Sequence, residues 1–183
     1  MKYKKINCFI LPLLIASIFS ISSCGKLLNA TFTKTFSNIT FEIDTTSTVG
    51  NVTFAGENIN TDISNFAASN NFSLSKIKSA KLKSCTLTIN DISTIQPPIT
   101  FNILDSVFGK LSGVGLNPIE VSNTSILPNS NATTLNLNVR DVDVMPYIKA
   151  DSFNYIISGR TNAPIPHKVQ MTASVTFEIV AGL

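Results

Sequence analysis

From Val169 to Ile179 apolar and polar residues alternate without a break. Val169, Met171, Ala173, Val175, Phe177 and Ile179 interleave with Gln170, Thr172, Ser174, Thr176 and Glu178. A period of two over eleven residues specifies a strand with one buried face, since a helix would scatter those apolar side chains around its axis. Shorter copies recur at Ile39/Phe41/Ile43, Cys85/Leu87/Ile89, Leu135/Leu137/Val139 and Phe153/Tyr155/Ile157, the last with Ile156 breaking its polar face. Phe32 to Phe36 and Val52 to Phe54 are weaker strand candidates. Clusters at Gln96-Pro97-Pro98, Gly113 to Pro118, Pro128 to Asn131 and Asn162 to Pro166 punctuate the series.

Two segments have helical spacing. Asp62 to Ser69 places Ile63, Phe66 and Ala67 three and four apart, and Asp143 to Lys149 carries Val144, Tyr147 and Ile148, with Pro146 in the first turn and Asp143 placed to cap. Ile103 to Leu111 fits either a helix or a strand; Gly109 weighs modestly against a helix, and strand is favoured. Several short one-faced strands with turn-rich punctuation indicate a sandwich or barrel. The expected fold is all-β: a single antiparallel β-sandwich with one or two short helical turns.

The amino-terminal segment is of another kind. Lys2, Lys4 and Lys5 precede an almost wholly apolar run from Ile6 to Ile21, interrupted by Asn7, Pro12, Ser17 and Ser20. That run is too short and too broken for a spanning helix, and a basic start before a short apolar core reads as a secretory signal. Ile21-Ser22-Ser23-Cys24-Gly25 then resembles the lipobox of bacterial lipoproteins: an aliphatic residue, two small residues, and cysteine. The resemblance implies diacylglycerol on the Cys24 thiol, cleavage before Cys24, and acylation of the new amine. The residue types suit that chemistry, because small side chains enter a peptidase site and a thiol forms the thioether. Several acyl chains would anchor the protein stably at roughly 0.8 kcal/mol per buried CH₂. Gly25 in place of Asp implies, by the same resemblance, the outer membrane of the cell envelope. Gly25-Lys26-Leu27-Leu28 departs from the acidic run that often follows the lipidated cysteine in surface-exported lipoproteins. The expected organisation is a signal peptide over 1–23, a lipid-anchored tether over 24–30 and one β-domain over 31–183.

This reading changes the meaning of the charge. The formal +3 of the 183-residue chain comes from the three signal lysines; from Cys24 onward nine Lys and two Arg balance eleven Asp and Glu. A neutral domain carries no electrostatic footprint for nucleic acid. With Cys8 in the signal and Cys24 lipidated, Cys85 is the one thiol left to the domain, so no disulfide framework forms within it, and a strand-parity cysteine reads as an inert core residue.

The mature part also resembles, by pattern more than motif, small β-sandwich lipoproteins of the Bacteroidota type. The likeness rests on Ile77-Lys78-Ser79-Ala80-Lys81-Leu82, on Asp141-Val142-Asp143 followed by Pro146-Tyr147-Ile148-Lys149, and on the long closing strand. It implies fold and compartment and supplies no catalytic residues.

Candidate chemistry is sparse. His167 is the single histidine, at the start of the last strand beside Pro166, and a strand-end role outweighs a catalytic one. Asp141 and Asp143, with Asp151, are weak candidates for a hard cation such as Ca²⁺, which takes several oxygen ligands; an exposed carboxylate and a helix cap explain them as well. Lys76, Lys78, Lys81 and Lys83 form the one basic cluster, with a bulge expected near Ser79-Ala80, and suit either an acidic ligand or a lysine-protected edge. Asp44-Thr45-Thr46 and Asp105-Ser106-Val107 resemble the O-glycosylation triplet of Bacteroidota secreted proteins, which makes Thr45 and Ser106 acceptor candidates. Absence of Trp weakens a sugar-binding reading. The function expected is therefore non-enzymatic: a lipid-anchored module that binds or scaffolds an envelope protein or glycan, with no cofactor. A protein holding an acyl chain between its sheets and a hydrolase using Asp141, Asp143 or His167 are the alternatives.

Overall fold

The computed structural model describes residues 29–90, 98–125 and 131–182. The segment read as a signal peptide, Cys24 and the segment read as a tether, as far as Leu28, lie outside them. Among the described residues there are eight strands: β1 (Asn29–Ile43), β2 (Asn51–Asn60), β3 (Ile77–Asn90), β4 (Leu104–Gly113), β5 (Leu116–Ser125), β6 (Thr134–Val139), β7 (Ser152–Thr161) and β8 (Val169–Gly182). Helix α1 (Ile63–Ser69) follows β2 and helix α2 (Met145–Lys149) precedes β7, each accompanying a strand at the places where helical spacing was expected.

The strands form one antiparallel sheet in the order β1-β8-β3-β6-β5-β4-β7-β2, curled as a half-barrel. The all-β class expected from the sequence is what the chain adopts. The architecture differs from two separately bonded sheets because β6 pairs with β3 along one edge and with β5 along the other. That second seam is short, joining Ser122 to Val139 and Asn123 to Asn138. It is reinforced where the Arg140 amide donates to the Val121 carbonyl (2.8 Å) and its guanidinium to Glu120 (3.0 Å). The Asn123 side-chain amide and then Arg140 hold the Glu120 carboxyl below its usual range.

Curling brings the inner faces of the two halves together. Phe36 of β1 and Phe177 of β8 meet Phe153 of β7 edge to face, at centroid separations of 5.4 and 5.9 Å. Such pairs add about 0.5–1.5 kcal/mol each beyond the area they bury. Phe41 meets Tyr155 in the same way, and Gly56 of β2 sits so close that an added Cβ would lie 2.8 Å from the Phe41 ring and 2.1 Å from the Tyr155 carbonyl oxygen. β2 thus closes against the core only because it lacks a side chain there.

β8 alternates as its sequence demands, with Val169, Met171, Ala173, Val175, Phe177 and Ile179 all buried. The segment over 103–111 is strand from Leu104, after a short 3-10 turn at Phe101–Ile103. Two strands exceed what simple alternation allows, and bulges are the reason. In β1 the register slips between Phe36 and Ile39, at Asn38, whose φ of 61° lies in the left-handed region that Asn tolerates. The slip moves the inward face from even to odd positions, so Phe36 and Ile39, Phe41 and Ile43 all point inward, and two expected strands become one. β1 starts at Asn29, paired with Gly182, within the segment read as tether. In β3 the bulge expected near Ser79-Ala80 falls between Ile77 and Ser79, and a second lies between Leu82 and Ser84. They allow Ile77, Ala80, Leu82 and Cys85 all to be buried while Lys78, Lys81 and Lys83 face solvent.

Candidate functional site

The register of the strands sorts the chain into two ends. At one end lie Asn29, the end of β8, the start of β3, α1, the β4–β5 turn at Val114-Gly115, and α2. At the other lie the connections β1–β2, β3–β4, β5–β6 and β7–β8. With about 3.3 Å per residue, the 14 residues of β8 separate the ends by about 45 Å.

A cleft of about 720 Å³ lies at this second end. Pro98, Ile99 and Ile103 from the approach to β4 form one side, and Ala163, Pro164 and Pro166 from the approach to β8 the other. Thr100, Asn102, Asn131 and Thr133 supply its polar groups. Two interactions set the walls: the Asn162 side-chain amide donates to the Asn102 carbonyl (2.9 Å), and Thr46 and Ile165 exchange backbone hydrogen bonds. Among the described residues no ionisable side chain lines the cleft, and those that do line it offer shape, apolar area and neutral hydrogen bonds. Its volume falls in the range of small-ligand sites, about 300–1,000 Å³.

A second polar constellation is inside the core, where alternation gave no hint of it. Tyr155, fully buried, has its hydroxyl 3.1 Å from the Cys85 thiol and 3.0 Å from the Ser122 hydroxyl. Ser122 is buried because the register slips between β4 and β5, so that Val121 and Ser122 both face inward. Gly109 makes the room: a Cβ there would sit 2.3 Å from both the Ser122 and Tyr155 oxygens. Burial pushes the Cys85 thiol up to about 11, and burial together with Cys85 raises Tyr155 well above its ordinary value. All three groups are therefore neutral at physiological pH, and Cys85 is a packed, protonated thiol, as its strand parity suggested.

The acidic candidates separate. Asp141 is exposed and pairs with Lys81 at 2.5 Å. Asp143 accepts hydrogen bonds from the backbone amides of Ala80 (3.0 Å) and Met145 (3.1 Å), which ties α2 to β3. The residue at the helix boundary is Val144, so Asp143 acts from one position earlier than the cap expected of it. Asp151 lies beyond α2, where its carbonyl accepts from the Thr61 amide (2.9 Å). Among the described residues no group of three or more His, Cys, Asp or Glu side chains is placed to hold a metal ion. His167, half-buried just before β8, is at the opposite end from Asp141 and Asp143, so these residues do not meet.

The lysines divide as well. Lys76 ends a 3-10 turn, Lys78 donates to the Asn29 side-chain carbonyl (2.7 Å), and Lys83 lies 3.9 Å from Glu178. Asp141 holds Lys81 above its ordinary value through a hydrogen bond and its charge. Of the glycan-acceptor candidates, Thr45 is exposed at the second end, and Ser106 is half-buried in β4 between β5 and β7. No described helix is long and apolar enough to cross a membrane. A scan against protein-family models and a search of curated proteins each found no match.

Proposed function

We propose that this protein is a lipoprotein of the bacterial cell envelope, anchored through Cys24, whose half-barrel presents a neutral ligand-binding cleft away from the membrane. The carrying observation is the lipobox Ile21-Ser22-Ser23-Cys24 placed five residues before the first paired strand residue, Asn29, with the cleft at the other end of the sheet. Asn29 and the cleft thus lie at opposite ends of the sheet. A neutral set of mature side chains supports a partner recognised by shape and hydrogen bonds, such as an envelope protein or an uncharged glycan. The outer membrane is the proposed location, on the strength of Gly25.

An acyl chain held between the halves of the sheet has less support. Tyr155, Phe41, Phe153, Phe177, Leu87 and Met171 fill that interior and are each at most 1% exposed. A hydrolase built on Asp141, Asp143 or His167 gains nothing from their separation.

The test compares membrane and soluble fractions of cells making wild type or Cys24→Ala, with protease treatment of intact cells and in vivo crosslinking. Wild type sediments with membranes and crosslinks to a partner through residues placed at Pro164 and Asn131. If Cys24→Ala distributes as wild type does, the anchor reading is wrong; if crosslinks arise only around α2, the cleft reading is wrong.

A further inference from the structure

We infer that the Asn29 end of the half-barrel rests on the bilayer itself, with the β4–β5 turn entering the headgroup region through Val114. The inference depends on the lipid-anchor reading above and adds a second, non-covalent contact to it.

The chain leaves this end of the sheet at Asn29, which is already paired with Gly182 of β8 and bonded by Lys78 of β3. Five residue steps separate it from Cys24, a reach of at most about 18 Å even when fully extended. A domain held that closely cannot turn its far end, about 45 Å away, towards the membrane it is tied to. The anchor would therefore keep the near end within the reach of the tether from the lipid surface.

What that end exposes suits the position. Val114 stands fully in solvent, at 102% of its reference area, on a two-residue turn between Gly113 and Leu116. The turn requires a positive φ at Gly115 (72°), which glycine supplies without strain. Behind it the Tyr147 hydroxyl of α2 donates to the Asn117 carbonyl, and α2 is in turn fixed to β3 through Asp143. The turn is therefore a rigid projection carrying an apolar tip. Among the described residues at this end Lys76, Lys78, Lys81 and Lys149 balance Asp62, Asp141, Asp143 and Asp151, so the contact rests on the apolar tip and not on net charge. Val49, the comparable exposed valine of the β1–β2 connection at the opposite end, is 53% exposed and serves as an internal control.

The experiment uses full-length protein purified from membranes and reconstituted in vesicles of phosphatidylethanolamine and phosphatidylglycerol. Val114→Cys and Val49→Cys are each labelled with a polarity-sensitive fluorophore; wild type, whose Cys85 is buried, reports background labelling. Intact mass establishes the state of Cys24 in the same samples. The expected result is a blue-shifted Val114 probe, quenched by nitroxide lipids and several-fold less accessible to iodide than the Val49 probe. If Cys24 is diacylated and both probes are equally open to iodide, the membrane-contact inference is overturned while the anchor stands. If Cys24 is unmodified, the anchor reading fails and the inference falls with it.

Discussion

Replacing Tyr155 by Phe removes one oxygen from the centre of the core and leaves two groups without their partner. The hydroxyl lies 3.0 Å from Ser122 and 3.1 Å from Cys85, and neither neighbour can turn to water, since Ser122 is 0% and Cys85 2% exposed. The shape of the ring is kept, so the loss is almost wholly one of polar satisfaction. An orphaned buried hydroxyl costs about 1–3 kcal/mol, whereas a thiol, a weak hydrogen-bonding group, adds little. Tyr155→Phe is therefore expected to cost about 2 kcal/mol. Ser122→Ala alone should cost less, because Tyr155 keeps Cys85. The double variant should cost less than the two singles together, by about 1 kcal/mol, because removing both oxygens leaves no orphan. Urea unfolding followed by far-UV circular dichroism suits a chain without Trp. At a slope of about 2 kcal/mol per molar, Tyr155→Phe lowers the midpoint by about 1 M. A Tyr155→Phe midpoint matching wild type, or strict additivity in the double variant, would refute the reasoning.

Gly109→Ala forces a methyl to within 2.3 Å of the same two oxygens, and the overpacking should cost about 1–3 kcal/mol by the same unfolding assay. The Cys85 thiol, near 9 when unfolded and about 11 when folded, gives stability that is complete below pH 9 and is lost as pH rises towards 11. The two-unit gap caps that loss at roughly 3 kcal/mol, and Cys85→Ala should flatten the decline by one proton even though its baseline is lower. Asp143→Ala removes the acceptor for two backbone amides and should cost about 1 kcal/mol, with Asp143→Asn largely preserving stability. Lys81→Ala, which breaks an exposed pair, should leave the unfolding midpoint within experimental scatter.

How far the sequence foretold the fold follows from where alternation survives. β8 keeps one register along its whole length with β1 apart from a single slip, and its parity alone names its buried residues. β5 was legible only as a turn-rich stretch. Pro118 and the slip that buries both Val121 and Ser122 erase its period of two, and Pro118 is tolerated because β6 pairs with β5 only at Ser122 and Asn123. β2 runs to Asn60, past Gly56-Glu57-Asn58, because a glycine is what lets the chain pass over Phe41 and Tyr155, a requirement of tertiary packing that no local pattern encodes. The candidate site was less legible still. Its lining comes from three connections far apart in sequence, and their Pro, Asn and Thr residues look like ordinary punctuation until the sheet curls and gathers them at one end. The core hydroxyl pair had one usable signal, a tyrosine at buried parity, since a buried phenol requires a partner.

The central claim is that Cys24 joins this half-barrel to a membrane, and the intact mass of the protein extracted from the membrane fraction tests it most directly. The account predicts a chain beginning at Cys24 and carrying a diacylglyceryl thioether with an acylated amine, and loss of that mass together with membrane association in Cys24→Ala. A chain that is cleaved elsewhere, or that begins at Cys24 with a free thiol, would contradict it.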